Sequence, residues 1–173
     1  MSLLLTLGYA QEGQTETSSE LPEFLAIQHA QSGTISEINS TTYSLQLNDL
    51  SDKTILFSNR PDRIVATQSI QDFIGNWTSG QDSFQLDPPN AALVVLTADQ
   101  EDDTFEIELF NPKYEKDEKR LSYDFTFLGN ATTTASDLPK GLGKSVLIID
   151  SFPTAVNPQV TDSITQSNVK IIG

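Results

Sequence analysis

From residue 24 onward, apolar and polar side chains follow one another mostly with a period of two. Gly33-Thr34-Ile35-Ser36-Glu37-Ile38 and Thr42-Tyr43-Ser44-Leu45-Gln46-Leu47 put every second residue on one side, which only an extended backbone can turn into a buried face. Asn39-Ser40 between them supplies the turn of a hairpin. Residues 24–29 and 54–57 are short apolar-rich runs that also predict strands. Residues 91–96 are apolar throughout, as in a central strand covered on both faces. Residues 104–109 and 121–127 alternate strictly, and the polar stretch 111–119 between them is expected to be the loop of a long hairpin. Residues 145–149 predict one more buried strand. Many short strands separated by turn signals predict an all-β fold, an antiparallel β-sandwich or barrel-like domain.

One segment departs from that period. Ile70, Phe73, Ile74 and Trp77 fall at i, i+3, i+4 and i+7, the spacing of one helical face. Ser69 is a suitable N-cap with Asp72 at the capping-box position, and Thr78-Ser79-Gly80 ends the run. The spacing predicts one short helix over residues 69–77. So short a helix needs tertiary support, which predicts that it plugs an open end of the sheet.

The two ends of the chain read differently. Residues 1–10 contain a short leucine-rich run followed by Gly8-Tyr9-Ala10, too short to span a bilayer and resembling the end of a secretory signal peptide. Residues 11–22 are polar and acidic, as in a disordered spacer. The folded domain is expected over residues 23–150, and residues 151–173 form a polar tail in which Val169-Lys170-Ile171-Ile172 offers an edge strand. That strand completes its own sheet or joins a neighbour's in a homo-oligomer. The expected location is therefore outside the cytoplasm, in the periplasm, at the cell surface or beyond it.

Charge and composition remove several functions. The 173 residues carry 24 acids against 10 Lys and Arg, a net charge of −14. That excess disfavours nucleic acid, whose phosphates need clustered cations, and it disfavours an anionic membrane surface. The absence of cysteine excludes thiol catalysis, disulfides and thiolate metal sites. The single histidine, His29, excludes a two-histidine metal motif, and no Gly-x-Ser-x-Gly accompanies it. Lys140-Gly141-Leu142-Gly143-Lys144-Ser145 imitates the end of a P-loop, but Leu138 stands where the first glycine belongs and a strand follows instead of a helix.

Two places hold candidate chemistry. Arg60 and Arg63 flank a Pro-Asp turn at a strand end, and Pro88-Pro89 fixes Asp87 and Asn90 in a stiff loop. A small anion or polar ligand gripped near Arg60, Arg63, Trp77, Asp87 and Asn90 is one reading, since guanidinium forks suit carboxylate or phosphate. Arginines pairing internally with Asp72 or Asp87 to pin the loops is the other. The acidic run Asp99, Glu101, Asp102 and Asp103 suggests weak calcium binding, although it lacks the spacing of an EF-hand and reads equally as a solvated turn.

Phe57-Ser58-Asn59-Arg60-Pro61-Asp62-Arg63-Ile64, then Phe73 with Trp77, then Ser83-Phe84 with Asp87-Pro88-Pro89-Asn90-Ala91 form a combination. With Leu121-Ser122-Tyr123 and Leu147-Ile148-Ile149-Asp150, it resembles a family of small exported bacterial and archaeal proteins. The family more often has Asp at the place of Asn59. The resemblance implies export and a shared loop-and-helix core, and it brings no activity with it. The expected function is a non-enzymatic envelope or extracellular module that binds a protein or a small polar ligand, with no cofactor beyond calcium. A subunit of a surface assembly joined by strand addition and a carboxylate-based hydrolase are the alternatives.

Overall fold

A computed structural model describes residues 23–58, 60, 64–79, 83–96, 103–129, 138–139, 141–153 and 170–171. The expected signal peptide and spacer, residues 1–22, lie outside them. The described residues form eleven strands and one short α-helix, in the order β1 (Glu23–Ala30), β2 (Ser32–Glu37), β3 (Tyr43–Asn48), β4 (Lys53–Ser58), β5 (Ile64–Ser69), α1 (Ile70–Gly75), β6 (Asn90–Val95), β7 (Asp103–Glu115), β8 (Arg120–Phe127), β9 (Gly141–Leu142), β10 (Ser145–Pro153) and β11 (Lys170–Ile171). A single 3-10 turn, Lys116–Glu118, joins β7 to β8. The protein is all-β and antiparallel with one short helix, as the alternation predicts.

The strands make one sheet, ordered β11-β5-β4-β1-β10-β6-β7-β8-β3-β2-β9, and the sheet is not closed into a barrel. Its two halves face each other because several chain segments turn a corner together. Only Gln31 separates β1 from β2, residues 49–52 separate β3 from β4, and Gly143 and Lys144 separate β9 from β10. β4, β1 and β10 are neighbours on one side of the corner, and β3, β2 and β9 on the other. Strands that bend between layers are how sheets packed across a corner stay continuous. Backbone bonds hold the bend: Gln31 N–H donates to the Asn48 carbonyl at 3.3 Å, Ser51 N–H to His29 at 3.0 Å and Leu50 N–H to Lys119 at 3.1 Å. Just past the corner, Gly33 lies so close to β3 that a Cβ there would come within 2.6 Å of the Gln46 carbonyl oxygen.

Between the layers lies a core of inward-facing side chains, among them Phe24, Leu45, Leu56, Leu93, Ile107, Leu109, Phe125 and Ile149. One polar chain crosses it. Tyr123 Oη on β8 donates to Gln28 Oε1 on β1 at 3.0 Å, and Gln28 Nε2 donates to Thr54 Oγ1 on β4 at 3.3 Å. All three side chains are buried. Burial pushes the Tyr123 phenol well above the usual tyrosine range, with the Gln28 hydrogen bond acting weakly in the opposite direction.

The hairpin expected to loop over residues 111–119 is instead strand almost to its tip. β7 continues to Glu115, and its register against β8 shifts between Phe110 and Lys113. Asn111 and Pro112 form a bulge there, with Asn111 in the left-handed region at φ 50°. Pro112 lacks a ladder donor and Asn tolerates that conformation, so the break in alternation is a kink within a strand rather than its end. β5, whose Ile-Val-Ala-Thr-Gln-Ser alternates only weakly, and the two-residue β9 were not among the expected strands.

Two outcomes follow from the corner and the polar bridge. Gly33→Ala should lower unfolding free energy by about 1–3 kcal/mol, the usual cost of an overpacked site, in urea titration. Tyr123 has a raised folded-state pKa, so the bridge is fully present below the unfolded tyrosine pKa of about 10 and is lost as pH rises beyond it. Wild-type stability should therefore fall above about pH 10, and Tyr123→Phe, less stable at neutral pH by about 1–3 kcal/mol, should show a shallower fall.

Candidate functional site

The helix sets the site. Ser69 Oγ accepts from the Asp72 backbone N–H at 3.0 Å and donates to Asp72 Oδ2 at 2.5 Å, the capping arrangement its sequence predicts. α1 spans Ile70–Gly75 and continues as a turn that carries Trp77. It packs against β4, β5 and β7, covering the concave interior from both layers. Ile70 and Phe73 are buried in the core. Trp77, only 3% exposed, meets the Phe84 ring at 5.0 Å, Tyr123 at 5.6 Å and Phe73 at 6.3 Å between centroids. These separations are those of favourable aromatic pairs. Gln85 N–H donates to the Trp77 carbonyl at 3.2 Å, so the loop leading to β6 is tied to the helix end.

Where this aromatic plug meets the β7 bulge, a hollow of about 220 Å³ opens to solvent, lined by Ile74, Trp77, Thr78, Gln85, Phe110, Asn111 and Pro112. Its floor is apolar. Its polar groups are a hydroxyl and two side-chain amides, of which Asn111 Nδ2 also donates to Asp124 Oδ2 at 2.9 Å. None of these lining residues has a side chain that titrates. Leu86, next to Gln85, stands 71% exposed. A volume below the roughly 300 Å³ at which pockets usually begin to hold a whole small molecule fits one ring or one side chain.

Of the described residues among the candidate ligand-binding set Arg60, Arg63, Trp77, Asp87 and Asn90, Trp77 alone lines this hollow. Arg60 is exposed in the turn after β4, and Arg63 lies outside the described residues. Asp87 is exposed, with its N–H donating to the Ser83 carbonyl at 3.0 Å. Asn90, also exposed, is the first residue of β6, opposite Glu108. β4 and β6 are separated by β1 and β10, about 14 Å in sheet spacings. Among the described residues no ion pair joins Arg60 to Asp72 or Asp87. Of the acidic run, Asp99, Glu101 and Asp102 lie outside the described residues, while Asp103 is exposed at the start of β7. His29 is half-buried and faces outward near the end of β1. Lys170 and Ile171 pair with β5 of their own chain, and Val169 and Ile172 lie outside the described residues.

The hollow draws on Phe110, Asn111 and Pro112, the last two of which the alternation pattern assigned to a hairpin loop. An Asn-Pro pair inside a strand-like run was the available sign of a bulge. Among the described residues no helix is long and apolar enough to cross a membrane. No family model, no curated protein and no solved structure matches the chain.

Trp77 is the sole tryptophan, so its fluorescence reports on the plug alone. Native emission should be blue-shifted and resistant to acrylamide, and both properties should be lost in one step on unfolding. Emission already at the solvent-exposed wavelength in the native protein would contradict the packing.

Proposed function

We propose that the chain is an exported, non-enzymatic interaction module whose hollow between α1 and the β7 bulge accepts one uncharged, apolar-tipped side chain of a partner protein. The hollow carries this reading: an apolar floor of Ile74, Trp77, Phe110 and Pro112 under a rim of Thr78, Gln85 and Asn111. An apolar floor supplies the affinity, and a few neutral polar groups fix the backbone of what enters. A charged tip would lose its hydration without gaining an ion pair. Leu86, exposed next to Gln85 of the rim, adds apolar surface that a macromolecular partner would bury and a ligand confined to the hollow would not. Export rests on the leucine-rich N-terminal run and on the family resemblance.

The test is selection from a displayed peptide library, read out by Trp77 fluorescence. Enriched peptides should share one apolar anchor among uncharged neighbours and quench or shift Trp77 emission. Thr78→Tyr, an exposed position at the mouth, should abolish binding while leaving the unfolding midpoint unchanged. Enrichment of acidic or basic anchors, or binding indifferent to that substitution, would overturn the proposal. So would a thermal shift produced by calcium, copper, phosphate or sugars but by no peptide, since a ligand at about 100 times its dissociation constant adds about 2.7 kcal/mol.

A further inference from the structure

Three triplets of the chain read Asn-x-Ser/Thr: Asn39-Ser40-Thr41, Asn76-Trp77-Thr78 and Asn130-Ala131-Thr132. That triplet is the acceptor sequence for N-linked glycans, and it serves where a surface segment presents it. The third lies outside the described residues. The second is held by the plug. Asn76 is half-buried and Trp77 is buried. Their backbone N–H groups donate into the helix, to the Asp72 and Ile74 carbonyls, each at 3.1 Å. The first forms the tip of the β2–β3 hairpin, where Asn39, Ser40 and Thr41 are all exposed. The turn is closed by Ile38 and Asn39 N–H, which donate to the Thr42 carbonyl at 2.9 Å and 3.1 Å. Three donors converge on Asn39 Oδ1: Thr41 N–H at 3.0 Å, Thr42 N–H at 3.0 Å and the Thr41 hydroxyl at 3.2 Å. Asn39 Nδ2 makes no hydrogen bond among the described residues.

The geometry points to Asn39 as the acceptor of an N-linked glycan, transferred to the hairpin from a lipid-phosphate-linked oligosaccharide. The inference rests on the export proposed above, since the triplet is read on secreted chains. An amide nitrogen is a poor nucleophile, because its lone pair is delocalised into the carbonyl. In the transfer, Nδ2 bonds to the anomeric carbon of the first sugar. The bond from that carbon to the phosphate oxygen breaks, and the lipid phosphate leaves with the electron pair. Nδ2 gives one proton to a base of the transferase. As that proton leaves, negative charge grows on Oδ1, where three donors already point. The turn thus favours the reactive form, as donors aimed at a developing oxyanion do. Thr41 supplies two of the three, so the hydroxyl at the third place of the triplet has a direct chemical part. The glycan would also protect an edge. β2 pairs with β9 only at Gly33 and Thr34, so on that side residues 35–37 have no strand partner among the described residues. A bulky hydrophilic group two residues further on would obstruct another chain from pairing there.

The test offers the folded full chain to a purified single-subunit oligosaccharyltransferase with a lipid-diphosphate-linked oligosaccharide, followed by peptide mass mapping. Asn39 should gain one glycan and Asn76 none. Thr41→Val should slow transfer about tenfold or more, Thr41→Ser should slow it less, and Asn39→Gln should abolish it. Circular dichroism should show the fold retained in all three. A bare Asn39, a glycan on Asn76 instead, or transfer indifferent to Thr41→Val would overturn the inference. The chain recovered from the cells that make it separates this outcome from the export reading. An exported chain carrying a glycan on Asn39 supports both. An exported chain with bare Asn39 overturns the inference and leaves export standing. A chain confined to the cytoplasm overturns export, and the inference with it.

Discussion

The hydrogen bond from Tyr123 to Gln28 spans the interior of a sheet that has curled back on itself, and the rest of the structure is organised around it. A curved sheet encloses space that its own side chains must fill, because protein interiors tolerate few voids. The corner segments bring β8 opposite β1, and the large phenol crosses the gap. Its hydroxyl then needs a partner, since an unpaired buried polar group costs about 1–3 kcal/mol. Gln28 supplies the acceptor and passes its own amide hydrogen to Thr54. The chain of bonds is short and internally satisfied, which fixes how far apart the layers stand.

That separation sets the place of the helix. Trp77 packs its ring 5.6 Å from Tyr123, so the aromatic plug rests on the same residue that bridges the layers. α1 is too short to hold its shape unaided. Its stability comes from the Ser69 cap and from burying Ile70 and Phe73 against a surface already in position. The β7 bulge lies across from Tyr123, where Asn111 and Pro112 together oppose that one residue in the ladder. The extra residue bends β7 and opens the hollow beside Trp77. The hollow, the plug and the bridge are thus consequences of one large side chain crossing a bent sheet.

Charge is distributed with the same economy. The hairpin tip gathers Lys113, Glu115, Glu118 and Arg120 into ion pairs, exposed contacts worth little individually. Lys113 holds the half-buried Glu115 carboxyl below its ordinary range, first by a direct hydrogen bond and then by its charge. Glu106, Glu108 and Asp124 lie on the outer face of β7 and β8, while Ile55, Ile27 and Ile148 occupy the middle of that face on β4, β1 and β10.

Local order was written plainly in the residues. Alternation in Tyr43–Asn48, Arg120–Phe127 and the first half of β7 gave strands at nearly their true bounds, and the 3.6-residue stripe with its Ser69 cap gave the helix. These features survive in one dimension because each residue faces in or out according to its own parity. β5 was illegible because its apolar and polar residues mix, and its pairing with β4 comes from contacts rather than pattern. Pro112 made a continuing strand resemble a loop. The proposed loop cluster shares Trp77 with the hollow, whereas Arg60 and Asn90 lie at strands that the sheet order separates. Composition and residue order together determined an acidic, cysteine-free β-protein with one amphipathic helix. Only the tertiary structure decided which strands turn the corner, that Tyr123 meets Gln28 across 95 residues of sequence, and that the hollow forms where it does. Parity records which way a side chain points, whereas what it points at depends on segments the chain brings together from far away.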